Sequence, residues 1–267
     1  MRISEPAPAK LNLALHVRGK LPDGRHALET LFAFCIDGDR LEAEPADELS
    51  LEISGPFADD LSTDDNLVMR AAEALQRAAG ISAGARLFLS KKLPVASGIG
   101  GGSADAAAAL RLLTALWEIA PAHAIEVAPF IGSDVPACLL SLAARGEGAG
   151  DHLELVTDPS ISGSPILLVN PGVPLSTGEV FAAWDGVDRG ALKDWRDGRN
   201  DLEAPAKSLA PAIGEVLDWL GSQSGTEFVR MSGSGATCFA LFDSEQSRDE
   251  AAFACPSAWW HLATFLR

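Results

Sequence analysis

The chain has 267 residues, 47% of them hydrophobic, which suffices for one large domain or two modest ones and excludes a disordered chain. Its 37 acidic and 21 basic residues give a net charge of −16, so a nucleic-acid partner is not expected. No apolar run approaches the ~20 residues of a membrane span, and residues 1–10 lack the apolar core of a signal peptide. We therefore expect a cytoplasmic protein with no membrane partner.

The four cysteines (Cys35, Cys138, Cys238 and Cys255) lack metal-site spacing and are expected to be small buried apolar side chains.

The first predicted element is a half-buried strand over residues 10–18, where apolar and mostly polar residues alternate strictly. This alternation places Lys10 and Asn12 on one face. Further strands are predicted over 32–36, 49–53 and 86–90. Between them, Asp64-Asp65-Asn66 opens a helix that Gly80 ends.

A glycine-rich loop follows, and Ser103 is predicted to be the N-cap of a helix that runs to about residue 119. The second half begins after about residue 155, with strands over 166–169, 237–242 and 258–265. An amphipathic helix is predicted from Leu209 to Leu220. Because strands and helices mix without regular alternation, we expect an α+β fold with two lobes. The linker candidate is 158–164, so the lobes are placed at 1–157 and 158–267.

The loop itself is the strongest chemical signal in the sequence. Four glycines in five positions let the backbone approach a ligand closely, and the following helix directs its positive end to the same place. The pattern fits neither a Walker A loop, which ends in Gly-Lys-Ser/Thr, nor the dinucleotide fingerprint GxGxxG. A flexible connector is the alternative. The predicted phosphate-binding residues are Pro94, Val95, Ala96, Ser97, Gly98, Ile99, Gly100, Gly101, Gly102, Ser103 and Ala104.

This loop resembles the second motif of the GHMP kinases, PxxxGLGGGSSxA. The first motif of that family is matched by Pro8-Ala9-Lys10-Leu11-Asn12-Leu13 and the third by Met231-Ser232-Gly233-Ser234-Gly235-Ala236-Thr237. PDGRH at 22–26, GSDVP at 132–136 and NDLE at 200–203 are similar to one branch of the family. That branch phosphorylates the tertiary 2-hydroxyl of a cytidine diphosphate derivative of methylerythritol on the non-mevalonate isoprenoid route.

The resemblance implies a fold, cofactors and a partner. The N-terminal lobe would be like ribosomal protein S5 domain 2 and the C-terminal lobe ferredoxin-like, with ATP and the substrate meeting between them. ATP and Mg²⁺ would be the cofactors and the small cytidine diphosphate derivative the partner, with no metal site made by the protein alone.

The resemblance also assigns roles that the residues alone leave open. Asp134 would be the catalytic base, although an aspartate here is equally typical of a helix cap. Lys10 would stabilise the transferring phosphoryl group, whereas most lysines are simply solvated. Asn12 would position the acceptor. Ser103 is compatible with capping, phosphate contact or Mg²⁺ binding.

The substrate pocket is expected to bind cytosine. His26 would read the base and Phe181 would stack on it, with Thr177 nearby; a structural histidine and a core phenylalanine are the alternatives. The family usually has tyrosine before the histidine, but this sequence has Arg25 and no tyrosine. A guanidinium plane also stacks on bases.

Two other functions remain open from the sequence. One is a GHMP kinase for homoserine or a mevalonate derivative, which would not need the PDGxH motif and Phe181. The other is a non-catalytic nucleotide sensor, against which Lys10 and Asp134 argue.

Overall fold

The computed structural model describes residues 1–63 and 65–267, which form two compact units. Unit 1 comprises Met1–Ala9, Asp37–Val95 and Gly100–Ser141, and unit 2 comprises Lys10–Ile36, Ala96–Ile99 and Leu142–Arg267. The strands are β1 (Ile3–Lys20), β2 (His26–Ala46), β3 (Leu49–Ser54), β4 (Gly84–Ser90), β5 (Ala144–Gly148), β6 (His152–Leu155), β7 (Pro165–Asn170), β8 (Thr226–Met231), β9 (Cys238–Phe242) and β10 (Trp260–Phe265). The helices are α1 (Leu67–Ala79), α2 (Gly101–Leu116), α3 (Pro121–Ile131), α4 (Val135–Leu140), α5 (Thr177–Ala182), α6 (Glu203–Leu209), α7 (Ala212–Gly221) and α8 (Glu245–Ala254). These elements confirm the α+β class, whereas the lobe boundary after residue 157 stays a prediction.

Unit 1 packs four helices beside a small sheet. β3 runs parallel to β4, which pairs antiparallel with the second half of β2. Helix α1 packs on α2 and α3, and α2 also packs on α4. As predicted, α1 begins directly after Asn66 and ends at Gly80, which is left-handed. The structure shows that Asn66 is the N-cap, because its side chain accepts from the backbone N–H of Val68. Asp64, the first residue of the predicted start signal, lies outside the described residues.

Helix α2 begins earlier than predicted. Its N-cap is Gly100 in the left-handed conformation (φ 63°), so the prediction of Ser103 as N-cap is wrong. Glycine adopts this conformation without steric cost, which lets the loop turn directly into the helix. Ser103 consequently lies in the first helical turn.

Unit 2 contains an antiparallel sheet with the strand order β10-β7-β9-β8. Helix α7 packs on β7, β8 and β9, and α8 packs on β7, β9 and β10. This β-α-β-β-α-β order is ferredoxin-like, as the resemblance implied. The helix predicted from Leu209 begins later in the structure, at Ala212, and Leu209 is the last residue of α6. The two helices are separate because Pro211 lacks the N–H that a continuous helix would need.

The burial predicted for the cysteines agrees with the structure for three of the four, whereas the burial predicted for β1 does not. Cys35, Cys138 and Cys238 are buried as expected, and Cys255 is half-buried. Strand β1 is not half-buried: residues 7–17 are buried on both faces. Within the described ranges 1–63 and 65–267, no helix has both the length and the apolar character of a membrane span.

Arg230 holds β1 against the C-terminal half of the chain within unit 2. Its guanidinium donates to the carbonyl oxygens of Leu13 at 2.6 Å, Trp195 at 2.8 Å and Gly198 at 2.5 Å. Burial lowers the pKa of Arg230 to about 10, opposed by Glu203. The side chain remains charged at neutral pH and satisfies three carbonyls, one in β1 and two in the segment 195–198.

Arg230→Lys tests this contact. Lysine keeps the charge but not the planar fork, so at least one carbonyl loses its donor. A hydrogen bond to a charged group is worth about 1.5–3 kcal/mol, and we expect the free energy of unfolding to fall by about 2 kcal/mol in urea denaturation. Arg196→Lys, an exposed neighbour, is the control and should change it by less than about 0.5 kcal/mol. Equal effects of the two changes would contradict a special role for Arg230.

Candidate active site

Lys10 and Asn12 lie at the centre of a hydrogen-bond network in unit 2. Lys10 is only 3% exposed, which excludes an ordinary solvated lysine. Its ammonium donates to Asn12 Oδ1 at 3.0 Å, and Asn12 Nδ2 donates to Thr30 Oγ1 at 2.8 Å. Thr30 in turn donates to the carbonyl of Ala14 at 2.6 Å. This chain of bonds fixes the orientation of the buried ammonium.

The glycine loop is attached to this network through its carbonyl groups. The backbone N–H of Lys10 donates to Ile99 O at 2.9 Å. Ser232 Oγ donates to Gly98 O at 2.9 Å, and the N–H of Thr237 donates to Ser97 O at 3.1 Å. Three successive carbonyl oxygens, which would repel a phosphate, are thus bound within the protein.

The loop backbone has a conformation suited to anions. Ala96, Gly98 and Gly100 have positive φ angles of 49°, 78° and 63°, while Ser97 and Ile99 between them do not. Such alternation makes successive N–H groups converge into an anion-binding concavity, called a nest. The first N–H groups of α2, which lack helical partners, follow directly.

The third glycine motif is packed against the loop so closely that side chains are excluded. A Cβ atom on Gly98 would lie 2.5 Å from Ser232 O and 2.6 Å from Gly235 O. Asn200 holds the motif from the other side, donating to the carbonyls of Met231 and Gly233 at 2.8 Å each. This close approach of the two backbones is by itself a sufficient reason for glycine at position 98, with no need for a ligand. It also places Ser232 beside Asn12, and the backbone N–H of Asn12 donates to Ser232 Oγ at 3.1 Å.

Asp134 and Ser103 belong to unit 1. Asp134 is half-buried at the N-cap position of α4, but its side chain makes no capping hydrogen bond, which excludes the capping alternative. A Cβ atom on Gly132 would lie 3.9 Å from Ser103 Oγ, so the GSDVP turn is adjacent to the first turn of α2. The turn that carries Asp134 therefore lies beside the start of α2, where Ser103 is located.

The residues predicted to bind cytosine form an aromatic cluster in unit 2. His26 stacks on Phe181, with ring centroids 4.6 Å apart and 25° between the planes, and meets Trp184 edge-on at 5.8 Å. Burial, followed by the nearby charge of Lys20, lowers the pKa of His26, so its ring is neutral at pH 7. Within the described residues, His26 Nε2 and Trp184 Nε1 are buried without a hydrogen-bond partner.

Arg25 and Thr177 are more exposed. The Arg25 guanidinium donates to Asp23 at 2.8 Å and lies 3.5 Å from Asp151, and the Asp23 bond raises the pKa of Arg25. Exposed ion pairs of this kind contribute little free energy, so the guanidinium is easily released to another partner. Thr177 Oγ1 lies 2.9 Å from Ser234 Oγ, which connects the start of α5 to the third motif.

Comparison with known proteins matches both halves of the chain. The model for the GHMP kinases N terminal domain matches residues 66–141, and that for GHMP kinases C terminal matches 182–261. The chain is 51% identical to the 4-diphosphocytidyl-2-C-methyl-D-erythritol kinase of Rhizorhabdus wittichii, covering 100% of this chain and 96% of the relative. It is 50% identical to the enzyme of that name from Novosphingobium aromaticivorans, covering 100% and 94%.

This chain belongs to the GHMP kinases, in the branch of the 4-diphosphocytidyl-2-C-methyl-D-erythritol kinases. A crystal structure of 4-(cytidine 5'-diphospho)-2C-methyl-D-erythritol kinase superposes with a TM-score of 0.85 at 34% identity, covering 100% of this chain and 99% of that one. The homoserine kinase of Cytophaga hutchinsonii has a TM-score of 0.70 at 17% identity, covering 99% and 95%, which shows the shared fold alone. The prediction of an ATP-dependent small-molecule kinase is thereby confirmed.

Some residues of this GHMP kinase site carried no role in the sequence interpretation. Thr30 and Trp184 lie in no motif, and their contacts depend on the tertiary fold. Asn200, in the NDLE motif, was recognisable as a branch signature but not as the residue that holds the third glycine motif.

The neutral state of His26 can be measured. In Phe181→Ala the His26 ring loses its stacked cover, so its pKa should rise toward the ordinary 6.5 because burial is the main cause of the lowering. NMR titration of the ring protons, assigned with His26→Asn, checks this. His16, whose pKa is also lowered by burial, is the internal control and should not change. A lowered pKa also means that protonating His26 opposes folding, so stability falls below about pH 6.5. An unchanged His26 pKa would contradict burial as its cause.

Proposed function

We propose that the protein transfers the terminal phosphoryl group of ATP to the tertiary 2-hydroxyl of 4-diphosphocytidyl-2-C-methyl-D-erythritol. The observation that carries the proposal is a buried ammonium, Lys10, held at the edge of a glycine nest whose carbonyls are bound within the protein. The full-length identity to kinases of that name supports the choice of acceptor.

The glycine loop binds the triphosphate. The proposed contacts come from residues 94–104, where the nest and the start of α2 present backbone N–H groups. A protein with a net charge of −16 has no general attraction for ATP, so this local arrangement supplies the binding free energy.

Mg²⁺ fits the oxygens that the site contains. Within 1–63 and 65–267, no group of three or more histidine, cysteine or carboxylate side chains is arranged as a metal site. Mg²⁺ commonly binds through substrate phosphates and few protein oxygens, and Ser103 Oγ is the proposed protein contribution. When bound, the ion neutralises charge on the phosphates.

Asp134 is the proposed base and Lys10 the proposed electrostatic stabiliser. The Asp134 carboxylate belongs to the GSDVP turn, which is adjacent to the first turn of α2, and a carboxylate can orient the acceptor hydroxyl and take its proton. The ammonium stabilises the negative charge that develops on the transferred group. Asn12 orients Lys10 through Oδ1, and the second lone pair of that oxygen is left for the acceptor.

The cytosine ring is proposed to occupy the aromatic cluster. Phe181 and the Arg25 guanidinium supply the two flat faces, and Thr177 lies at the start of the same helix as Phe181. The neutral His26 ring, with its buried Nε2, supplies a polar group for the edge of the base.

Asp134→Asn tests the base. The amide preserves shape but does not accept the proton, so kcat should fall by ~10²–10⁴ while ATP binding by calorimetry stays within about twofold. Asp218→Asn makes the same chemical change at an exposed position of α7 and should leave kcat intact. Near-normal turnover of Asp134→Asn would remove this residue from the mechanism.

Phe181→Ala tests the substrate pocket. Stacking on an aromatic ring contributes ~1–3 kcal/mol per base, so acceptor affinity should fall roughly ten- to a hundred-fold. ATP affinity should stay the same. Phe253→Ala removes a 95% exposed phenylalanine on α8 and serves as the control for both titrations.

Two outcomes would overturn different parts of the proposal. If Phe181→Ala weakened acceptor binding and ATP binding equally, Phe181 would be a core residue and not part of the substrate pocket. Phosphorylation of homoserine or mevalonate in preference to the cytidine compound would reject the acceptor but not the kinase.

A further inference from the structure

Arg111, in the second half of α2, uses all three nitrogens of its guanidinium in hydrogen bonds within unit 1. Nε donates to Glu5 Oε1 at 2.6 Å, and Nη2 donates to the carbonyl of Pro6 at 3.0 Å. Nη1 donates to the carbonyl oxygens of Cys138 at 2.8 Å and Leu139 at 3.4 Å. The side chain therefore connects the start of β1 to the end of α4.

The carbonyls that accept from Arg111 belong to the last turn of a very short helix. Helix α4 has six residues, and the last four carbonyl groups of a helix have no N–H partner within it. Arg111 supplies a donor to two of them, Cys138 and Leu139. Because short helices are marginal in water, the position of α4 depends on tertiary contacts of this kind.

A continuous path of hydrogen bonds leads from Arg111 to Asp134. The carbonyl of Cys138 accepts from Arg111, and the backbone N–H of Cys138 donates to the carbonyl of Asp134 at 3.0 Å. The N–H of Val135 donates to Gly132 O at 3.1 Å, which closes the turn before the helix. A movement of α4 therefore moves the backbone that carries the Asp134 carboxylate.

Helix α2 contacts the segment that carries Asp134 at two points. At the first turn of α2, a Cβ atom on Gly132 would lie 3.9 Å from Ser103 Oγ. Eight residues later, or ~12 Å along the helix, Arg111 binds the far end of α4. Two attachments to one rigid helix fix both the position and the orientation of α4 relative to the start of α2.

We propose that Arg111 is a positioning residue for phosphoryl transfer, which holds α4 so that the Asp134 carboxylate meets the acceptor hydroxyl beside the start of α2. The inference rests on the proposed function, because Asp134 is the proposed base. A misplacement of about 1 Å can cost ~10² in rate. The partners of Arg111 are not among the residues proposed to bind ATP or cytosine, so loss of its side chain lowers turnover and leaves binding intact.

The first test compares substitutions of Arg111 by steady-state kinetics. Arg111→Met removes all of its hydrogen bonds, so kcat should fall about ten- to a hundred-fold, while the KM values for ATP and the cytidine acceptor stay within about twofold. Arg111→Lys keeps the charge and part of the donor set, and should recover part of the loss. Arg77→Met removes an exposed arginine that pairs with Glu73 on α1, and this control should have the kcat of the wild type.

A double-mutant cycle with Asp134→Asn distinguishes positioning of the base from a general loss of structure. If Arg111 acts through Asp134, Arg111→Met should lower kcat by less than about twofold once position 134 is asparagine. The same loss of kcat in both backgrounds would overturn the proposal, because the effect would not pass through the base. An unchanged kcat in Arg111→Met would also overturn it.

A milder variant keeps the test decisive if Arg111→Met does not fold. Glu5→Gln weakens the anchor of Arg111 and leaves its bonds to α4, so kcat should fall roughly two- to fivefold, and only while Asp134 is present. Hydrogen exchange of the Cys138 amide, measured without substrates, should be faster than in the wild type. Unchanged exchange and unchanged kcat in Glu5→Gln would contradict the proposal.

The outcomes separate this inference from the proposed function. Normal turnover of Asp134→Asn would reject the proposed base and this inference with it. Loss of turnover in Asp134→Asn together with normal turnover in Arg111→Met would reject the role of Arg111 alone.

Discussion

The capture of the glycine-loop carbonyls is the constraint on which the rest of the site depends. A loop that binds phosphate must present N–H groups and turn its carbonyl oxygens away. Here the carbonyls of Ser97, Gly98 and Ile99 accept from Thr237, Ser232 and Lys10. These bonds join the first and third motifs to the loop within unit 2, and Asn12 N–H donates to Ser232 Oγ, so each of the three motifs is hydrogen-bonded to the other two.

Burial of cations near the loop follows from the same need. The protein is strongly acidic, so a positive site for a triphosphate has to be made locally and shielded from the acidic surface. Lys10 is buried, and its ammonium is oriented by Asn12. This bond fixes the geometry of the lysine, which removes the entropy cost of ordering a flexible side chain during binding.

The aromatic cluster, where we propose that the acceptor binds, is built differently. His26 is kept neutral by burial under Phe181, and its Nε2, like Trp184 Nε1, lacks a partner among the described residues. Buried unpaired nitrogens cost free energy, which the polar edge of a bound base would recover. In the proposed pocket, an acceptor that carries a base would satisfy these groups, and an acceptor without a base would not.

The sequence by itself determined the family, the fold class and the motif residues, because glycine spacing and strand alternation are local properties of the chain. It also located α1, since Asn66 and Gly80 act within one helical turn. Only the tertiary structure decided that the polar face of β1 is buried, that α2 begins at Gly101 and not after Ser103, and that Asp134 does not cap its helix. The roles of Thr30, Asn200 and Arg230 likewise depend on it. Their partners are distant in sequence, and no local pattern records which backbone a folded chain brings within hydrogen-bond distance.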